Sequence, residues 1–433
     1  MTAIEWIHSF DRFDGRGGIK PGLERMQAML ERLGRPHEQL KFLHVAGTNG
    51  KGSTCSYLAN ILQHVGYQVG LYTSPYLTQF HDRMSVGGVN ITDQELDQIV
   101  AELRPVVEEV AATEVGCPTE FEVLSVLSIL HYARQEVDFV VWETGLGGRL
   151  DSTNVVTPLL SLITNVGLDH QAILGDTLEQ IAAEKAGIIK PGVPVLTTAH
   201  GVALEVIKRT AAQNGSRCLT FGDDFASERS RFGWEGQTFD WRGFEGELSQ
   251  LQIKMLGEHQ TVNASLAVAA CQALQELGYP IDEASVRAGL ASTAWAGRFE
   301  VVAQDPLTVL DGAHNPEGAQ ALGAALRELL PQRKVVLIVG VMADKAIPEV
   351  LAPLVPLSAA VVVTRANMPR SAQVDQVAKM VKSLDSELPV LTAQSVAEAF
   401  RLAAQQAEEL GCPLVCTGSL YMISEARALF FPN

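Results

Sequence analysis

Between an apolar run and a stretch with helical spacing, the chain carries Gly47-Thr48-Asn49-Gly50-Lys51-Gly52-Ser53. Glycines at such a junction let backbone N–H groups wrap phosphate oxygens, while a lysine and a helix N-terminus add positive potential. The run departs from a standard P-loop, which wants an earlier first Gly and a Ser or Thr directly after the Lys. Val45 holds the first of those places and Gly52 the last, so the hydroxyl arrives one residue late, at Ser53. The plain alternative is a Gly-rich turn, but Gly, Lys and a hydroxyl rarely coincide idly between strand and helix. Three more polar residues end apolar runs: Ser74, Glu143 and His170. Ligands of open parallel sheets sit beyond the carboxyl ends of the strands. A hydroxyl, a carboxylate and an imidazole gathered there beside a triphosphate are candidate Mg²⁺ ligands. Taken singly, Ser74 also reads as a turn residue before Pro75, and His170 as an ordinary loop histidine. Glu143 follows Val-Val-Trp, and a carboxylate in that setting needs a partner.

Other residues stay ambiguous on their own. Lys185, in Ala182–Lys190, reads most simply as part of a solvated helix face paired with Glu184 or a nearby acid. Asp311, His314 and Asn315 in DGAHNP follow an apolar strand and suit a capped turn entering a helix. Arg298 reads equally as a surface linker charge.

The elements that must position these groups alternate. Leu40–Ala46, Gln68–Tyr72, Asp138–Trp142, Leu159–Thr164 and Val193–Thr197 read as strands. Helical spacing predicts helices from about Thr54 to Val65, over Thr92–Val110, Phe121–Gln135 and Thr177–Ala186. Such alternation with short loops marks a parallel sheet covered on both faces. Cys218–Met255, rich in Gly, aromatics and charge, breaks the rhythm and reads as antiparallel hairpins extending a sheet edge. Gln260–Leu277 returns to helix. A second, smaller series follows, with strands at Leu307–Leu310, Lys334–Val339, Ala359–Thr364 and Pro413–Thr417 and helices near Gly318–Leu330 and Val374–Leu384. The expected architecture is α/β: an N-terminal P-loop domain with a mostly parallel sheet, 1–297, and a smaller C-terminal Rossmann-like α/β domain, 298–433. A phosphate loop in one domain and polar strand ends in the other suggest a nucleotide-dependent enzyme with its site in the cleft between them.

Composition agrees. The 433 residues are 47% hydrophobic and 19% charged, enough apolar content for a sizeable core. The net charge of −17 argues against nucleic acid as the main partner. The six cysteines (Cys55, Cys117, Cys218, Cys271, Cys412, Cys416) are scattered, complete no zinc pattern and read as reduced thiols, mostly buried. No signal peptide and no membrane span are visible, so the expected setting is the cytoplasm.

The ordered motifs resemble the folylpolyglutamate synthase/dihydrofolate synthase family, within the Mur-type ATP-dependent amide ligases. They are GRGGIKPGLERM (Gly15–Met26), HVAGTNGKGST (His44–Thr54), TSPYL (Thr73–Leu77), ETGLGGRLDSTN (Glu143–Asn154), GLDH (Gly167–His170), EKAGIIKPG (Glu184–Gly192), HQTVNAS (His259–Ser265), GRFE, DGAHNP and TGSLYMISEAR (Thr417–Arg427). The displaced hydroxyl fits, since this family's loop carries Gly-Lys-Gly-Ser. The resemblance implies that Gly47, Thr48, Asn49, Gly50, Lys51, Gly52 and Ser53 hold the ATP phosphates. It implies that Ser74, Glu143 and His170 bind Mg²⁺, and that Lys185 is carbamylated and supports a second ion. Asn263 and Arg298 would contact the nucleotide, and Asp311 and His314 would serve ATP and the incoming amino acid. Gly15–Lys20, Phe121 and Asp151 would line the pterin pocket. The implied reaction is addition of L-glutamate to the γ-carboxylate of a reduced folate through an acyl phosphate, by a monomer. The rivals are the same machinery acting also on dihydropteroate and, from another class, a P-loop nucleotide switch or kinase.

Overall fold

The computed structural model describes residues 1–11 and 21–431. The continuous apolar runs become strands buried on both faces, as parallel strands between helix layers must be. The first eight strands along the chain are β1 (Phe42–Ala46), β2 (Val69–Tyr72), β3 (Met84–Val86), the exposed edge strand β4 (Val89–Asn90), β5 (Phe139–Glu143), β6 (Leu160–Ile163), β7 (Val195–Thr197) and β8 (Cys218–Thr220). They form one sheet in the order β4-β3-β2-β5-β1-β6-β7-β8. From β2 to β8 every pairing is parallel, and only β3 and β4 run antiparallel at one edge. β1 lies between β5 and β6, with Val45 opposite Glu143 and Ala46 opposite Ile163. The loops after β1, β5 and β6 therefore emerge side by side, and the sequence reading of a strand-end site depends on this order.

Helix starts follow local chemistry. Thr92/Glu95, Thr119/Glu122 and Thr177/Gln180 form reciprocal capping boxes at the heads of Asp93–Ala111, Glu120–Arg134 and Leu178–Ala186, each satisfying backbone donors that a helix end leaves open. One face of the sheet packs Phe42, Tyr72 and Trp142 against Leu124, Leu127 and Leu103. Another cluster packs Ala46 and Ile163 against Ile181, Ile188 and Ile207.

The segment expected as an edge extension divides. β8 joins the edge of the main sheet, but β9 (Ala226–Gly233), β10 (Gly236–Gly243) and β11 (Gly246–Ile253) form a separate three-stranded sheet in sequential order. Two-residue connections dictate this, because they can join only antiparallel neighbours.

The remaining strands are β12 (Glu300–Gln304), β13 (Leu307–Leu310), β14 (Val335–Val339), β15 (Ser358–Val363), β16 (Val390–Thr392) and β17 (Leu414–Thr417). Their order is β12-β13-β17-β14-β15-β16, parallel except for the β12–β13 hairpin. The chain divides into two compact units. One comprises Met1–Glu228, Phe239–Gln252 and Val262–Thr293, and the other Arg229–Thr238, Ile253–Thr261 and Ala294–Asn433. All six cysteines are free thiols, but only Cys55, Cys271 and Cys416 are buried and Cys117 is exposed. Among the described residues, no helix is long and apolar enough to cross a membrane.

Candidate active site

The glycine-rich loop leaves β1 at Ala46 and enters the helix Lys51–Val65, with Gly50 as its N-cap at φ +83°. That left-handed backbone favours glycine, and the space is closed to a side chain. A Cβ on Gly50 would collide with Asn263 Oδ1, and one on Gly47 with Thr164 Oγ1. Lys51 Nζ folds back onto the carbonyls of Gly47 (3.2 Å) and Thr48 (3.3 Å). Lys185, 3% exposed on the helix Leu178–Ala186, donates to the same Gly47 oxygen at 2.8 Å. Its side chain is thus buried against the loop rather than spread on a solvated face, and the partner expected for it, Glu184, pairs with Arg149 at 2.8 Å.

Two residues that the sequence reading passed over hold this loop. Asn165 accepts the Thr48 N–H on its carbonyl (2.9 Å) and the Asn49 N–H on Oδ1 (2.7 Å). Thr164 Oγ1 donates to Asn49 O at 2.6 Å. Their position, directly after the apolar run of β6, was the available signal.

Ser74 and Glu143 leave adjacent strands, since Tyr72 pairs with Trp142 across β2 and β5. The Ser74 N–H donates to Glu143 Oε2 at 3.0 Å, and Glu143 is 4% exposed. His170 follows β6 at the same sheet edge, in a left-handed conformation at φ +52°. Its N–H donates to Asp169 Oδ1 at 2.8 Å, and its ring Nε2 lies 4.0 Å from that oxygen. Among the described residues no three His, Cys, Asp or Glu side chains converge as a metal-holding group. A magnesium ion that keeps waters and binds phosphate oxygens requires none.

Phe121 and Asp151 meet over Gly145, in the loop after β5. A Cβ on Gly145 would fall 2.6 Å from the Phe121 ring and 3.3 Å from Asp151 Oδ2. Burial pushes the Asp151 carboxyl above its ordinary pKa, against hydrogen bonds from Thr153 and the Leu146 N–H. Gly15–Lys20, expected beside them, lies outside the described residues.

In the second unit, Asp311 ends β13. Oδ2 accepts the Phe299 N–H and Oδ1 the Ala313 N–H, at 2.8 and 2.9 Å. Burial raises its pKa, and the Arg298 guanidinium opposes the shift. Gly312 has no room for a side chain, because a Cβ would meet Arg298 Nη1. His314 Nδ1 lies 2.8 Å from Gly312 O, so Nδ1 carries the proton in the neutral ring. Asn315 caps the helix Pro316–Leu329 through the Gly318 N–H. The capped-turn reading is correct for Asn315, while Asp311 and Arg298, both half-buried, cluster with the buried Phe299.

A phosphate-type loop beside a buried carboxylate at the parallel-sheet edge is the arrangement of a nucleotide-binding α/β enzyme, and the family models narrow it to the Mur-type ligases. The Mur ligase middle-domain model matches residues 45–271, and the Mur ligase, glutamate ligase domain model matches 297–420. The dihydrofolate synthase/folylpolyglutamate synthase of Bacillus subtilis (strain 168) is 37% identical over 99% of this chain and 98% of its own length. A Mycobacterium tuberculosis folylpolyglutamate synthase complexed with ADP superposes with a TM-score of 0.93 at 29% identity, over 99% of this chain and 98% of that one. A folylpolyglutamate synthase complex with AMPPCP and folate gives 0.86 at 33% identity, over 99% of both chains. The chain belongs to the folylpolyglutamate synthase/dihydrofolate synthase family of Mur ligases, and it is an ATP-dependent ligase.

Proposed function

We propose that this ligase joins L-glutamate by an amide bond to the γ-carboxylate of folates, with tetrahydrofolate as acceptor. The carboxylate oxygen attacks the γ-phosphorus of ATP, the bond to the bridging oxygen breaks, and ADP leaves. The glutamate amine then attacks the acyl-phosphate carbonyl. The tetrahedral intermediate expels inorganic phosphate, and the nitrogen loses its proton. The observation that carries this reading is the sheet edge itself: the loop Gly47–Ser53, two lysines on the Gly47 carbonyl and a buried Glu143 on the next strand.

Lys51 and the loop N–H groups are assigned to the phosphates, where fixed donors stabilise charge that moves in the transition state. Ser74 and Glu143 fit a magnesium ion, because their 3.0 Å contact brings a hydroxyl-bearing residue and a carboxylate together and this cation takes hard oxygen ligands. His170 is assigned as the third ligand. The bound ion screens the triphosphate against an approaching carboxylate. Lys185 is assigned as a carbamate. Its nitrogen would keep one N–H for Gly47 O while the new oxygens serve a second ion. Asn263, against Gly50, and Arg298 are assigned to the nucleotide, and Asp311 and His314 to ATP and the incoming glutamate. Residues 1–297 would then carry ATP and folate binding, and 298–433 the glutamate-ligase function.

The test is product mass spectrometry after incubation with Mg·ATP and L-glutamate, with tetrahydrofolate and dihydropteroate offered in separate tubes. Glutamyl mass gain on tetrahydrofolate is expected, and Lys51→Ala should abolish it without unfolding the protein. Gain on both acceptors establishes the bifunctional reading, which the double name of the Bacillus subtilis relative favours. ATP hydrolysis with no gain on either acceptor would overturn the proposal in favour of a nucleotide switch.

A further inference from the structure

The motif LDSTN contributes more than Asp151. Each residue of its polar run is pinned by a different element. Ser152 Oγ lies 2.7 Å from Ser125 Oγ, and Asn154 Nδ2 donates to the carbonyls of Arg149 and Gly187, both at 3.0 Å. Thr153 sits at the centre. Its carbonyl accepts Trp142 Nε1–H at 3.0 Å, and its N–H and hydroxyl both go to Asp151 Oδ1, at 3.0 and 2.5 Å. The Thr153 oxygen lies 2.9 Å from Nε2 of His44, a β1 histidine with no exposed surface that the reaction above does not use.

The proton positions follow from counting. A hydroxyl has one hydrogen, and the 2.5 Å contact commits it to the Asp151 carboxylate. His44 is neutral, because burial, aided by the Lys190 ammonium, lowers its pKa to about 3. It therefore has a single N–H. Nδ1 is buried without a hydrogen-bond partner, and an orphaned acceptor is tolerated better than an orphaned N–H. The hydrogen thus sits on Nε2 and points at Thr153 Oγ1.

We infer that His44 and Thr153 are positioning residues, a relay from His44 Nε2–H through the Thr153 hydroxyl to Asp151 Oδ1 that aims Asp151 Oδ2 into the folate pocket. With Oδ1 held by two donors, Oδ2 is turned to the Leu146 N–H (2.7 Å) and to the space over Gly145 beside the Phe121 ring. An aromatic heterocycle stacked on Phe121 can present adjacent ring N–H and amino donors to that oxygen, as the aminopyrimidinone of a pterin does. The inference rests on the folate reading above. It assigns the sheet interior beneath the pocket, rather than the pocket wall alone, to substrate selection.

The experiment compares Thr153→Val, which keeps the volume and removes the hydroxyl, with Thr153→Ser, which keeps the hydroxyl. Folate affinity by calorimetry and KM values for folate and ATP are measured on both variants and on the native enzyme. Thr153→Val should weaken folate binding and raise the folate KM about tenfold, leaving the ATP KM within about twofold. Thr153→Ser should restore the native values. Native folate affinity in a folded Thr153→Val variant, or equal damage to folate and ATP KM in both variants, overturns the relay. In the native protein, ¹⁵N spectra of His44 supply a measurement independent of mutant folding. The relay requires the Nε2–H tautomer and a ring shift when folate is added without ATP, and the Nδ1–H tautomer or an unmoved ring overturns it. A native enzyme that glutamylates folate while these tests fail has lost only the relay. A native enzyme that neither binds nor glutamylates folate refutes the folate reading itself.

Discussion

Substituting Gly50 with alanine should damage ATP use far more than it damages the fold, and the structure supplies the size. Gly50 caps the helix Lys51–Val65 at φ +83°, a conformation that costs an L-residue about 1–2 kcal/mol. The new Cβ would also collide with Asn263 Oδ1, with Asn263 Cγ only 3.0 Å away. Asn263 is 7% exposed, so it escapes only by leaving its rotamer, at about 0.5–1.5 kcal/mol. Together these come to about 1.5–3.5 kcal/mol. If nucleotide binding requires this loop geometry, the loss appears as a fall in kcat/KM for ATP of roughly 12- to 320-fold, at 1.4 kcal/mol per tenfold. The assay is steady-state ligation at varied ATP, on Gly50→Ala, Asn263→Ala and the double variant. In the Asn263→Ala background the collision is gone, so Gly50→Ala should cost only the backbone part, about 5- to 30-fold. An equal cost in both backgrounds refutes the steric half of the reasoning, and native ATP kinetics in Gly50→Ala refutes all of it.

Two further outcomes concern stability. Arg25 and Glu122 form a pair with side chains 10% and 6% exposed, Nη2 to Oε1 2.8 Å. Glu122→Ala should lower the stability of the first unit by about 3–5 kcal/mol in urea unfolding, and the double variant Arg25→Met, Glu122→Leu should recover most of it. A loss below about 1 kcal/mol would mean that the pair behaves as a solvated one. Hydrogen bonds from the Thr92 hydroxyl and N–H hold the Glu95 carboxyl below its ordinary pKa of 4.5. A depressed native pKa gives stabilisation that is complete above the unfolded value and lost as pH falls through the native one. The melting difference between native protein and Glu95→Gln should therefore persist at neutral pH and shrink as pH falls below the ordinary carboxylate value of 4.5. A difference independent of pH would exclude the carboxylate as its source.

What could be read from the sequence follows from how much of each feature is local. LKFLHVA is recognisable as β1, and Val-Val-Trp-Glu as β5, because a doubly covered parallel strand needs an unbroken apolar run and its polar terminus stands out. That is why Ser74, Glu143 and His170 could be singled out before their strands were ordered. The helix after the phosphate loop was expected from about Thr54 but begins at Lys51. Gly52 lowers helix propensity there, and the left-handed cap at Gly50 compensates through geometry that no pattern displays. The β9–β11 sheet was read as an edge extension because turn spacing reveals hairpins but not what they pair with. Asn165 and Lys185 mark the deeper limit. Each matters through a contact with a backbone group of the Gly47–Asn49 segment, and backbone groups look alike at every position in a sequence. The same holds for His44 and Thr153. Their types are unremarkable in a strand and a short helical turn, and they acquire a role only when the hydrogens around Thr153 are counted. Motif reading therefore favours groups that touch substrate, whereas the groups that aim them emerge only from the accounting of buried polar atoms.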